Sequence, residues 1–125
     1  MKHIFLILFS FVLVNLAVGQ GKKVSDVAKF NSETVDMGKL KLNNPVTATF
    51  TVTNISKEDL MIENVTPGCG CTKSDYTKEL IKPGKTGIIS ATYNAAAPGK
   101  FTKTVYVKFL GVDEHKSLVI VGTVE

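Results

Sequence analysis

The sequence predicts an all-β chain whose strands stack as a sandwich, and three observations predict it. Apolar and polar residues alternate at period 2 through most of the chain, as half-buried strands require. Turn-forming clusters recur at near-regular intervals between the alternating runs. No segment sustains helical periodicity over the length of an ordinary helix.

The elements follow in order. The chain opens MKHIFLILFSFVLVNLAVG. Lys2 and His3 give a positive start, residues 4–14 are apolar except Ser10, and Ala17-Val18-Gly19 supplies the small residues of a cleavage site. This is the three-part pattern of a secretory signal peptide. The apolar run from Ile4 to Val18 is broken by Ser10 and Asn15, and it falls short of the ~20 residues that cross a bilayer. Residues 1–19 therefore read as a signal peptide cut before Gln20, with no membrane span afterwards and a destination in the periplasm or outside the cell. The residue directly after the cut is Gln20 and not cysteine, so no lipid anchor is expected there.

Removing the first 19 of 125 residues leaves 106, a length that suits one domain with one core. Residues 20–26 are polar and read as a flexible leader, and 27–125 as the domain. The formal charge is +4, or +3 once Lys2 is gone, and every basic residue is a scattered lysine. Nucleic-acid sites favour arginine for bidentate contacts, so the charge reads as a solvated surface and no nucleic-acid partner is expected.

The segment KFNSETVDMG gives one or two strands. VTATFTVTN is the clearest strand, with Val46, Ala48, Phe50 and Val52 on one face and Thr47, Thr49, Thr51 and Thr53 on the other. DLMIENV turns Leu60 and Ile62 inward. GIISATYN alternates Ile89, Ala91 and Tyr93 with Ile88, Ser90 and Thr92. FTKTVYVKF aligns Phe101, Val105, Val107 and Phe109, with Lys103 interrupting that face near a rim. SLVIVGTVE closes the chain. Breakers at Asn43–Pro45, Asn54–Lys57, Pro67–Gly70, Pro83–Lys85, Pro98-Gly99 and Gly111–His115 separate the runs. Seven or eight short strands at this spacing predict an immunoglobulin-like antiparallel β-sandwich. The inter-sheet disulfide of antibody domains is impossible, because the only cysteines are Cys69 and Cys71 and there is no tryptophan.

Those cysteines sit in TPGCGCTK, residues 66–73. Cys69, Gly70, Cys71 and Thr72 are the candidate redox or interaction loop. Two cysteines in an oxidising compartment favour a disulfide. It would close a three-residue loop, contributing roughly 1.6 kcal/mol by chain entropy. Cα atoms two apart in an extended chain lie ~7 Å from each other, so the turn must bend, and Gly68 and Gly70 are the residues expected to permit the bend. A thioredoxin-like enzyme would show Cys-x-x-Cys at a helix start. Zinc wants four ligands, or three and a water, and His115 is the one histidine beyond His3. With alternating strands, His115 falls at the opposite end from the cysteines. No resident metal or other cofactor is expected, although a two-thiolate copper site remains an alternative. No Ser/His/Asp arrangement is visible, so no catalytic residue is assigned and the chain does not read as an enzyme. Asn54-Ile55-Ser56 and Asn64-Val65-Thr66 match the glycosylation sequon.

Several stretches carry a resemblance: VDMG (35–38), FTVTNIS (50–56), LMIENV (60–65), GCGCT (68–72), IKPGKTGII (81–89), GKFTKTVYV (99–107) and LVIVGTV (118–124). In order and spacing these resemble a family of secreted bacterial proteins of Bacteroidetes type, a domain of unknown function with a Cys-Gly-Cys-Thr hallmark. The resemblance implies an immunoglobulin-like sandwich and an exported chain, and it implies no activity. The expectation is a non-enzymatic binding or structural module of the cell envelope, with a protein or other envelope component as partner. Thiol–disulfide exchange at Cys69–Cys71 is the alternative, and soft-metal capture a third.

Overall fold

The computed structural model describes residues 22–125. The expected signal peptide and the first residues of the expected leader lie outside them. A one-turn helix, α1 (Val24–Val27), precedes eight strands: β1 (Ala28–Phe30), β2 (Thr34–Leu40), β3 (Val46–Asn54), β4 (Ile62–Pro67), β5 (Thr72–Tyr76), β6 (Thr86–Tyr93), β7 (Gly99–Phe109) and β8 (His115–Val124). They form two four-stranded sheets, in the orders β1-β3-β6-β5 and β2-β8-β7-β4.

The inward faces are those that the alternation marked. Phe50, Val52 and Ile89 from one sheet meet Val105, Val107, Phe109, Leu118 and Ile120 from the other, all essentially without solvent exposure. Burying such side chains contributes roughly 1.5–3 kcal/mol apiece. This interdigitated layer takes the place of an inter-sheet disulfide. Two aromatic pairs span it: Phe30 tilted against Phe109 at 6.3 Å, and Tyr93 stacked on Phe101 at 4.3 Å. Among the described residues no helix is long and apolar enough to cross a membrane.

Two local features differ from the sequence reading. Ordered packing starts before residue 27: Val24 and Val27, three apart on α1, are both buried in the core. Two valines in a short polar stretch give too little periodicity to be read from sequence. KFNSETVDMG forms two strands, and they belong to different sheets. Asn31 ends the β1–β3 pairing, its N–H donating to the Thr51 carbonyl and its side-chain oxygen accepting from the Thr51 N–H. The chain then crosses to the other sheet, and β2 pairs with β8 in parallel, from Thr34 opposite Val119 to Leu40 opposite Val124. All other strand pairings are antiparallel. A strand that changes sheets without reversing meets whichever strand runs beside it, and alternation of side chains carries no information about that direction.

Three of the four edge strands carry protecting features. β1 has three residues. β2 is broken by a bulge between Asp36 and Lys39, where Gly38 takes φ +70° and Asp36 Oδ1 accepts from its N–H at 2.8 Å. The outward carbonyls of edge strand β4 are capped from β5 across the sandwich: Ser74 Oγ donates to Val65 and Tyr76 OH to Glu63. Each device blunts edge-to-edge pairing with another chain.

Candidate functional site: the cysteine turn

β4 ends at Pro67 in one sheet and β5 begins at Thr72 in the other. The four residues between them carry the chain across the sandwich edge. Cys69 and Cys71 are joined there as a disulfide, with Cα atoms 5.4 Å apart, so the chain is bent relative to an extended strand. Neither Gly68 nor Gly70 occupies the left-handed region in this bend. Gly68 serves instead by its size: a Cβ there would lie 3.1 Å from the Thr104 carbonyl oxygen and 3.6 Å from the Tyr106 ring. Gly70 faces open space.

Backbone hydrogen bonds fix the turn on both sides. The Gly68 N–H donates to Thr104 of β7 at 2.8 Å, and the Cys71 carbonyl accepts from Asn94, just after β6, at 3.0 Å. The Thr72 N–H closes the turn onto the Cys69 carbonyl. Asn43 N–H donates to the Ala95 carbonyl at 2.8 Å, bringing the loops around residues 43 and 95 to the same end of the sandwich. Asn43 and Ala95 both take positive φ, 61° and 54°. Alanine rarely adopts this region, and Ala95 is fully buried where it does so.

The disulfide is a ridge between two clefts. On the Cys69 side, Gly68, Thr102, Lys103, Thr104 and Tyr106 line a space of about 230 Å³. On the Cys71 side, Pro45, Gly70, Lys73, Thr92 and Asn94 line one of about 170 Å³. Both cysteines are partly exposed, and Cys71 packs against the core. Thr72 is buried, and its hydroxyl lies 3.7 Å from Cys69 Sγ and 3.8 Å from Cys71 Sγ. One hydroxyl therefore underlies both sulfurs.

All four candidate residues thus share one turn, and Lys73 lines the cleft beside Cys71. His115 pairs with Lys108 at the far end of β7, away from the turn. Asp113, Glu114 and His115 are exposed there. Among the described residues no group of three or more His, Cys, Asp or Glu side chains is placed to hold a metal. The sequence reading missed Lys103, Thr104 and Tyr106 as lining, because β7 comes more than thirty residues later. It also missed what Asn54 does. Asn54 is fully buried. Its Nδ2 donates to the carbonyls of Glu58 and Ile81, and its Oδ1 accepts from Ser56 N–H and Oγ. The apparent sequon at Asn54 is thus a structural knot whose amide is fully engaged. Asn64 remains exposed and donates to Thr66 Oγ1.

The two packed sheets, linked by first strands that switch from one to the other, define an immunoglobulin-like sandwich. The chain belongs to the DUF1573 family, described as a protein of unknown function, whose model matches residues 28–124. No curated protein matches the sequence. Among solved structures, the chain is similar to a protein of unknown function from Porphyromonas gingivalis. That match has 15% identity and a TM-score of 0.64, covering 78% of this chain and 46% of that one. It is similar to the Vibrio cholerae VesB protease at 15% identity and TM-score 0.63, covering 81% of this chain and 33% of that one. PapD-like domain 7 of human CEP192 matches at 10% identity and TM-score 0.62, covering 90% and 95%. This chain therefore spans less than half the length of either bacterial protein. At these identities the likeness is one of fold.

Proposed function

We propose that the protein is an exported module of the cell envelope, a non-enzymatic binding or structural domain whose contact surface is the loop end around Cys69–Thr72. In this reading residues 1–19 are removed on export, the mature chain starts at Gln20, and the partner is a protein or other envelope component. The observation that carries the reading is the construction of that end. The turn is tied by backbone hydrogen bonds to Thr104 on one side and to Asn94 on the other, Ala95 next to it is tied to Asn43, and the turn stands between two clefts. A preordered exposed surface loses little freedom when a partner binds. The protected edges at β1, β2 and β4 argue against recognition by strand addition there.

The test uses position-specific photo-crosslinking in the native envelope. A photoreactive side chain at Gly70, where a new Cβ meets nothing within 4 Å, is compared with one at exposed Asp113 on the opposite end. Discrete adducts from position 70 that are absent from position 113 are expected. Identical adduct patterns from both ends, or none from either, would overturn the reading.

A further inference from the structure

We infer that the Cys69–Cys71 disulfide is an exchange site that accepts electrons from dithiols, with Thr72 as the residue that stabilises the departing sulfur. This goes beyond the binding reading and does not depend on it.

The bond is poorly suited to hold the fold. It spans three residues, and the crossing it spans is already fixed by the bonds from Gly68 to Thr104, Asn94 to Cys71 and Ser74 to Val65. Its surroundings suit exchange. Both sulfurs border a cleft, but the one at Cys69, walled by Thr104 and Tyr106, is the larger, and Cys71 also packs against the core. An incoming sulfur therefore has its freer approach at Cys69. Lys103 lines that cleft and Lys73 the other, so each approach to the disulfide carries a cationic side chain that can attract an incoming thiolate. The buried Thr72 hydroxyl is within reach of both sulfurs and can donate to whichever becomes anionic.

A thiolate of the dithiol attacks Cys69 Sγ. The Cys69–Cys71 bond breaks, and Cys71 leaves as a thiolate that accepts a hydrogen bond from Thr72 Oγ1. The second thiol of the substrate, once deprotonated, attacks the substrate sulfur of the mixed disulfide and releases the Cys69 thiolate. The substrate departs as a disulfide. Two electrons pass to the cysteine pair, and the two protons lost by the substrate thiols end on Cys69 and Cys71. Thr72 forms no bond to the substrate and acts as a positioning residue for the leaving sulfur.

The experiment takes the oxidised mature chain, adds dithiothreitol at neutral pH, quenches with an alkylating agent and follows intact mass, with amide NMR spectra reporting the fold. The native protein is expected to be reduced within about tenfold of the rate of its denatured form, because an exposed small-loop bond is open to attack, and to stay folded. Thr72→Val should slow the reaction about tenfold, the factor for one hydrogen bond to a charged group, and Thr72→Ser should restore it. An aromatic disulfide reagent should react faster with Cys69 in Cys71→Ala than with Cys71 in Cys69→Ala. Reduction that proceeds only on unfolding would overturn the inference. So would a wild-type rate for Thr72→Val, or faster reaction at Cys71 than at Cys69. The wild-type rate is read without any substitution, so the test survives a variant that fails to fold.

Discussion

Asn54 shows how one side chain can organise two loops. It ends β3, holds Ser56 with its amide oxygen and holds the Glu58 and Ile81 carbonyls with its amide nitrogen. Its backbone carbonyl accepts from Gly84 and its N–H donates to Lys85. Asn54→Ala would remove the side-chain bonds to Ser56, Glu58 and Ile81, while the Ile81 carbonyl keeps the Leu60 N–H and the Glu58 carbonyl keeps Ser56 Oγ. A loss of about 3 kcal/mol is expected, since each lost hydrogen bond contributes roughly 1 kcal/mol, and urea unfolding measures it directly. Asp75 is a contrasting case at the surface. The Tyr76 backbone N–H, and then Lys78, hold its carboxyl below the ordinary aspartate value. The folded pKa is depressed, so any stability it contributes is present above the unfolded pKa and is lost as pH falls through the folded one. Lys78→Ala should move the Asp75 titration part of the way back up, because the Tyr76 N–H remains. A side-chain NMR titration that left the midpoint unchanged would assign the whole shift to that N–H.

At the level of strands, β8 is held centrally in its sheet by a close approach that needs glycine. A Cβ at Gly122 would lie 2.8 Å from the Gly38 carbonyl and 2.7 Å from the Phe101 ring. The carbonyl belongs to the β2 bulge and the ring to the core, so neither side yields easily. Gly122→Ala should destabilise the domain by about 2 kcal/mol, as overpacking does, whereas Gly70→Ala should be near neutral in thermal unfolding. The strands themselves were largely legible, because alternation fixes which residues face inward: Phe50, Ile89, Val105 and Phe109 are where the pattern put them. Pairing direction was not legible, and neither was the switch of sheets at Asn31. Both depend on long-range neighbours that a local pattern does not encode. The same limit applies to the candidate site. Cys69, Gly70, Cys71 and Thr72 stood out as a motif, and the placing of His115 at the opposite end followed from strand alternation. The buried Thr72 hydroxyl and the Tyr106 wall depend on how β4 and β5 diverge into different sheets.

Over the whole molecule, strand order separates the folding problem from the chemistry of the turn. β2 must find β8, pairing Thr34 with Val119, and β3 must find β6, pairing Val46 with Tyr93. Such non-local pairings place sandwiches among the slower small folds, in the range of about milliseconds to seconds. The disulfide joins residues only two apart in sequence, so it shortens neither closure. Its entropic effect is confined to a small loop, at most roughly 1.6 kcal/mol. Oxidised and reduced chains should therefore refold at rates within about threefold of each other, with any stability difference appearing in the unfolding arm, because a local crossing at the sandwich edge need not form before the sheets meet. Stopped-flow refolding in urea distinguishes the cases. A folding arm slowed tenfold or more by reduction would place the turn in the folding nucleus, and the pair would then be a structural element of assembly rather than a bond free to open in the native protein.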